Sequence, residues 1–266
     1  MGITKCLGKI IFLSILFANI VPLSNAEQIS NISAKSILIT DLGSGEVLLA
    51  KNDTAQRSIA SITKMMTVIT ILEAQQDLYE LLEIQRLRTM GTHIPPNIKY
   101  LPRDKIIELA MVSSDNTAAY NLCYHYVGGY NNCIINMNEI ARRWGLHNTE
   151  FVDPTGLHNQ NVSSADDLAK ILNHSLSYSY LKYNGALLST DINYNKSKLN
   201  LLNTNKLLSV RNDILVTKTG WITASGGCIA MIVVKHAKKF AVIILGSQNT
   251  RTRLTEANQL INTYIN

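Results

Sequence analysis

The sequence predicts a single α/β (α+β) protein in which strands from both ends of the chain share one sheet and the residues between them form helices. Three observations predict it. Short apolar runs bounded by turn residues occur only near the two ends, at 36–50 and 215–245. The middle carries apolar residues at helical spacing. The 266 residues are 46% hydrophobic and 17% charged, and no repeat or long linker divides them.

The first 26 residues are set apart. Met1–Lys9 is short and basic, Ile10–Val21 is apolar, and Ser24-Asn25-Ala26 places small residues where a signal peptidase reads. This layout predicts a cleaved secretory signal over 1–26, a mature domain over 27–266, and export to the periplasm. The apolar run is short for a membrane span, so no stable span is expected after cleavage.

Ser36–Thr40 and Glu46–Ala50 read as strands joined by Asp41-Leu42-Gly43-Ser44-Gly45. Ser61–Gln75 reads as a buried helix, with Ile62, Met65, Met66, Ile69 and Leu72 at helical spacing. Pro102 opens a helix through Met111, and Asn116–Val127 is another, stopped by Gly128-Gly129. Tyr130–Trp144 puts Cys133, Ile134, Met137, Ile140 and Ala141 on one face and ends at Gly145. Leu215–Lys218, Cys228–Lys235 and Phe240–Leu245 are strand-like, and Thr252–Tyr264 is a closing helix. Two isolated hairpins are unstable alone, which is why the end strands are expected to pair.

Composition excludes several function classes. The net charge is +6, and without Lys5 and Lys9 it is +4, a weak excess that argues against nucleic-acid binding. Lys235, Lys238 and Lys239 lie between two apolar runs and read as a solvated hairpin tip. Six scattered histidines and the absence of HExxH or Cys/His ligand spacing predict no metal and no cofactor. Cys123, Cys133 and Cys228 remain after cleavage. A Cys123–Cys133 bridge is open in an oxidising compartment, but free buried thiols are the favoured reading of all three.

The chemistry lies in Ser61-Ile62-Thr63-Lys64, Ser114-Asp115-Asn116 and Lys218-Thr219-Gly220. Each is cheap alone, and a second SxN, Ser247-Gln248-Asn249, has no assigned role. Order and context give the trio its weight: the first opens a buried helix, the second precedes a helix, and the third ends a strand. Ser61 and Lys64 lie three apart on a helix, so both point to one side. A serine hydroxyl needs a base, and a lysine serves only as the neutral amine. Ala60, Val68 and Ile71 line the Lys64 face with apolar groups, which lowers its pKa, and Lys218 as a nearby cation would lower it further. The free N–H of Ser61 and that of Trp221 are candidates for an oxyanion hole. Ser114 is placed to relay a proton and Asn116 to hold a peptide group, while Asp115 is structural; Ser113-Ser114-Asp115-Asn116 also reads as an ordinary N-cap cluster for the helix after it. Lys218 and Thr219 suit a carboxylate, and Gly220 would let substrate approach the strand edge.

This trio is an established signature of penicillin-binding proteins and class A β-lactamases. The chain resembles the low-molecular-mass penicillin-binding proteins of the D-alanyl-D-alanine carboxypeptidase family, most of all their small D-alanyl-D-alanine endopeptidase type (penicillin-binding protein 7 type). The resemblance rests on residues 59–67 and 151–157, on Asn161-Val162-Ser163-Ser164-Ala165 with Asp167-Leu168-Ala169, on Asn203-Thr204-Asn205 and on residues 217–221. It implies a β-lactamase/transpeptidase-like fold, a five-stranded antiparallel sheet flanked by helices with an inserted helical lobe. It also implies Ser61 as acyl-enzyme nucleophile, Lys64 as proton acceptor, Ser114 as third catalytic residue and Lys218 as substrate-binding. Trp221 stands where the family usually has Phe, and Asp115 where Glu is common.

The activity so implied is a serine D,D-peptidase acting on peptidoglycan stem peptides and cross-links and acylated by β-lactam antibiotics. Endopeptidase is favoured over carboxypeptidase because the second β domain and amphipathic tail of the anchored carboxypeptidases are not found. Two rivals differ in chemistry. A β-lactamase of this fold would carry Glu-x-x-Leu-Asn where Phe151–Leu157 lies, and a silent peptidoglycan-binding relative would be free to lose the three motifs.

Overall fold

The computed structural model describes residues 31–88, 91–194 and 197–265, and Ser33 onward forms one compact unit. The export signal expected over 1–26 lies outside the described residues.

Ser36–Asp41 (β1) and Val47–Lys51 (β2) form the first hairpin, where expected. Arg57–Ser58 (β3) is a short strand that leads into a 3₁₀ turn over Ala60–Ile62 and the helix Thr63–Glu73 (α1). Every residue of α1 from Thr63 to Ile71 is buried, so this helix is enclosed on all sides. Its threonines survive there because their hydroxyls donate to carbonyls, Thr70 to Met66 O (2.8 Å) and Thr67 to Pro154 O (2.7 Å).

Leu81–Glu83 (β4) and Tyr100–Pro102 (β5) make a small ribbon, followed by Arg103–Met111 (α2), Asn116–Tyr124 (α3) and Gly129–Arg143 (α4). These three helices match the periodic segments. Contrary to the free-thiol reading, Cys123 and Cys133 form a disulfide, while both are fully buried. The turn at Gly128-Gly129, both at positive φ, folds α4 back on α3 and brings the two Cα atoms to 5.3 Å, within bridging range. Cys228 is a free, buried thiol, as expected.

Val162–Ser163 (β6) pairs with β3, and Ala165–Ser175 (α5) and Ser179–Asn184 (α6) follow. Ser189–Tyr194 (β7) and Ser197–Leu202 (β8) form a separate hairpin. The chain closes with Ile214–Ile222 (β9), Gly226–Lys235 (β10), Lys238–Ser247 (β11) and Thr252–Tyr264 (α7). The main sheet is antiparallel with order β2-β1-β11-β10-β9, so strands from both ends do share it.

Successive strand residues point to opposite faces, and both faces of this sheet are covered. Leu38, Ala230, Ile232, Ala241 and Ile243 join the core that contains Leu168, Ile171 and Leu172 of α5. The alternate residues Ile37, Ile39, Met231, Val242 and Ile244 are equally buried, and α7 packs against β10 and β11. This arrangement leaves β9 as an edge strand lying against the 3₁₀ turn that carries Ser61.

Candidate active site

The three motifs converge. Lys64 is fully buried, and its Nζ lies 2.8 Å from Ser61 Oγ, 2.8 Å from Asn116 Oδ1 and 2.6 Å from the Thr155 carbonyl. A neutral amine has two N–H groups and one lone pair. Two of these contacts can only accept a hydrogen from it, the amide oxygen of Asn116 and the carbonyl of Thr155. The lone pair is then left for the Ser61 O–H, so the neutral form of Lys64 is aimed as a base at the Ser61 hydroxyl. Burial drives its pKa from 10.5 down to about 7, and the negative charges of Asp153 and Asp115 offset part of that fall.

Lys218 is 1% exposed, and its Nζ donates to Ser114 Oγ (2.9 Å) and to the Thr219 carbonyl (3.0 Å). Burial, then repulsion from Lys64 and Arg253, holds it well below its ordinary range. Burial is the cause expected for the Lys64 shift, and only the further lowering expected from Lys218 is not found there. The repulsion between the two amines falls on Lys218, where it adds to the larger effect of burial.

Ser114 sits at φ 59°, the left-handed region, where a non-glycine residue is strained by about 1–3 kcal/mol. The strain is held by its neighbours. Ser113 Oγ donates to Leu109 O, and Asp115 caps α3 by accepting from Ala118 N at 2.8 Å. Asp115 also accepts from Thr92 Oγ1 and His93 N, so its role is structural, as read from the sequence. Asn116, the first residue of α3, thereby faces Lys64 while Ser114 faces Lys218.

Two expectations about the third motif change. Lys218-Thr219-Gly220 does not end a strand: β9 runs on through Trp221 to Ile222, paired with β10 at Gly226. Gly220 is not a gap for substrate either. A Cβ there would lie 2.7 Å from Ile59 O and 2.9 Å from Ser61 N, so its missing side chain lets the edge strand seat against the nucleophile's own backbone. That contact brings the Ser61 and Trp221 amides onto adjoining segments. Thr219 donates its hydroxyl to Thr204 Oγ1 at 2.7 Å. Ser247 of the second SxN bonds Glu256 instead, outside the site.

Some site residues were not singled out for a role from sequence. Asp153 accepts hydrogens from Thr155 N and Oγ1, Gly156 N, His158 N and Asn161 Nδ2. Burial works to raise its pKa, but these bonds outweigh it and hold the carboxyl low. The loop so anchored presents the Thr155 carbonyl to Lys64, and Asp-Pro-Thr-Gly was its turn signal. Arg253, 6% exposed, donates to Gly220 O at 2.5 Å and has no carboxylate partner among the described residues. Burial brings its pKa from 12.5 to about 10. Its signal was a cation in the first turn of α7, where the helix dipole opposes positive charge.

The family model for D-alanyl-D-alanine carboxypeptidase matches residues 23–249. The D-alanyl-D-alanine endopeptidase of Escherichia coli (strain K12) is 33% identical over 237 residues, 86% of this chain and 76% of that protein. The chain belongs to the D-alanyl-D-alanine carboxypeptidase family. Membership makes it a serine hydrolase. Among solved structures, the Streptomyces K15 DD-transpeptidase superposes with a TM-score of 0.81 at 24% identity, covering 88% of this chain and 98% of that one. Penicillin-binding protein D2 of Listeria monocytogenes, in its ampicillin-bound form, gives 0.79 at 22%, with the same coverage. These two carry the fold, the five-stranded sheet with its helical lobe that the family resemblance implies. Among the described residues, no helix is long and apolar enough to cross a membrane.

Proposed function

We propose that this family member is a serine D,D-peptidase of the cell wall that hydrolyses D-alanyl cross-links in peptidoglycan, and that Ser61 is its nucleophile. The observation that carries the reading is the buried Lys64 amine, 2.8 Å from the Ser61 hydroxyl and with a pKa near the working range.

Ser61 Oγ attacks the carbonyl carbon of the penultimate D-Ala, and its proton passes to the lone pair of Lys64. The Ser61 and Trp221 amides stabilise the oxyanion. The C–N bond then breaks, the leaving amine takes a proton through the Ser114 hydroxyl, and water later hydrolyses the ester. Asn116 holds a substrate amide between the two lysines. Lys218, Thr219 and Arg253 take the carboxylate beside the scissile bond. An arriving anion favours charge on Lys218, and repulsion across the site then favours the neutral form of Lys64. The similarity to a D-alanyl-D-alanine endopeptidase supports cross-links as the substrate, with terminal D-Ala-D-Ala as a second one. Penicillins acylate Ser61 by offering a strained amide to the same attack. Asp153, the one carboxylate of the Phe151–Leu157 loop, is saturated with hydrogen bonds, which disfavours a β-lactamase-type deacylating base. In this reading residues 1–26 direct export to the periplasm and 27–266 are the mature peptidase.

Labelled penicillin is expected to attach to Ser61 in the mature protein, and muropeptide dimers to yield monomers by mass analysis. An adduct that persists in Ser61→Ala, or intact dimers after prolonged digestion, would count against the reading. The acylation rate is expected to rise with pH through about 7 and then level, because only unprotonated Lys64 accepts the Ser61 proton. A flat profile from pH 5.5 to 8.5 would remove Lys64 as the base.

A further inference from the structure

We propose that the cleft beyond the Lys218-Thr219-Gly220 edge is a subsite for a second carboxylate, one carried by the leaving peptide of a cross-link, with Lys206 and Arg251 as its recognition residues. The inference rests on the endopeptidase reading above and deepens it.

The cleft has a volume of about 680 Å³, and its walls include His93, Ser113, Thr204, Lys206, Arg251 and Arg253. Three of these join it to the catalytic groups. Thr204 accepts the Thr219 hydroxyl, Arg253 holds the Gly220 carbonyl, and Ser113 precedes Ser114. The cleft therefore opens on the side where Lys218, Thr219 and Arg253 take the carboxylate next to the scissile bond, which is the leaving-group side.

Every ionisable side chain lining the cleft is basic. Arg253 is committed to the inner edge, and His93 is already paired with Asp115, 3.5 Å away at the start of α3. Lys206 and Arg251 are exposed and have no ion pair among the described residues. They are the uncompensated cations of the wall.

Size separates the two possible leaving groups. Clefts of roughly 300–1,000 Å³ hold ligands of several hundred daltons. A single released D-alanine has one carboxylate, already met by the inner edge, and would leave most of this space empty. The leaving strand of a cross-link is a peptide with further free carboxylates, and it fits both the volume and the charge. Lys206 and Arg251 thus favour the cross-link over a terminal D-Ala as substrate.

The test is the double variant Lys206→Glu with Arg251→Glu in the mature enzyme, assayed on cross-linked muropeptide dimer and, separately, for the second-order rate of penicillin acylation. The expected result is a KM for dimer raised about tenfold, which is about 1.4 kcal/mol, with kcat little changed, since two exposed charge contacts are lost and their reversal adds repulsion. Penicillin, lacking a leaving peptide, should acylate at the wild-type rate, which also shows the variant is folded. Lys206→Gln with Arg251→Gln should move KM in the same direction by less, and Lys206→Arg with Arg251→Lys should restore it. An unchanged dimer KM, or a loss of equal size in penicillin acylation, overturns the subsite and leaves the peptidase standing. A wild-type enzyme that acylates with penicillin yet cleaves no dimer overturns the endopeptidase reading, and the subsite falls with it.

Discussion

Replacing Lys64 with methionine is expected to slow acylation of Ser61 by about 10³–10⁴-fold, toward the upper end of what a positioned general base contributes. Methionine keeps the length and apolar stem of the buried side chain but offers no lone pair to the Ser61 hydroxyl. Burst measurements with a chromogenic cephalosporin read the loss directly. A second readout separates the base from a mere packing role. In the folded protein the Lys64 pKa is lowered to about 7, against 10.5 for the free side chain. Between those values the unfolded chain holds a proton that the folded chain lacks, so Lys64 makes stability rise with pH across the window. Below about pH 7 both states are protonated and the dependence ends. Lys64→Met should lose this contribution, which amounts to at most about 1.4 kcal/mol per pH unit. Urea denaturation at pH 7, 8 and 9 checks it. Wild type and variant with equal slopes would mean that Lys64 is already charged in the fold, and the proposed base would be lost.

The pairing of Ser61 with Lys64 was legible because a helical offset of three is local geometry, and the apolar neighbours that desolvate the amine lie on the same helix. The helices over Arg103–Met111 and Thr252–Tyr264 were legible for the same reason, since their periodicity is contained within the segment. What failed to show was non-local. The continuation of β9 past Gly220 depends on pairing with Gly226–Gly227 and on the 3₁₀ turn behind it, not on strand propensity. Arg253 reaches the site across 33 residues through a bond to a strand carbonyl, and its odd place in the first turn of α7 marks the cation without announcing that partner. Ser189–Tyr194 and Ser197–Leu202 are too polar to read as strands alone, with Ile192 the one fully buried hydrophobic among their described side chains. The helix Ala165–Ser175 is a different kind of miss. Leu168, Ile171 and Leu172 follow a Ser164 cap that accepts from Asp167 N, a local signal that helical periodicity alone could have found.

Gly156→Ala is expected to destabilise the protein far more than Gly45→Ala, although the two glycines share nearly the same backbone conformation, φ 80° and 76°. An alanine at either position meets the left-handed strain of about 1–2 kcal/mol. At Gly45 a Cβ meets nothing within 4 Å, so that strain is the whole effect, a fall in Tm of about 3–6 °C for a domain of this size. At Gly156 the Cβ would lie 2.0 Å from Ala60 O, 2.3 Å from Ala60 C and 2.8 Å from Ser61 N. Those atoms are backbone, and Ala60 is itself held at φ 47°, so the turn has little freedom to withdraw. A further loss of about 3 kcal/mol or more is expected, in the range that only steric insertion or a comparable fault produces. If the chain instead relieves the clash by moving, the segment that moves is Ala60–Ser61, and acylation falls at temperatures where the variant is still folded. Melting curves and penicillin acylation, taken together on both variants, distinguish these two routes. Equal melting points for the two variants with undiminished acylation would mean that the loop carrying Thr155 does not press on the nucleophile's turn. The position of Lys64 between that loop and Ser61 would then need another cause.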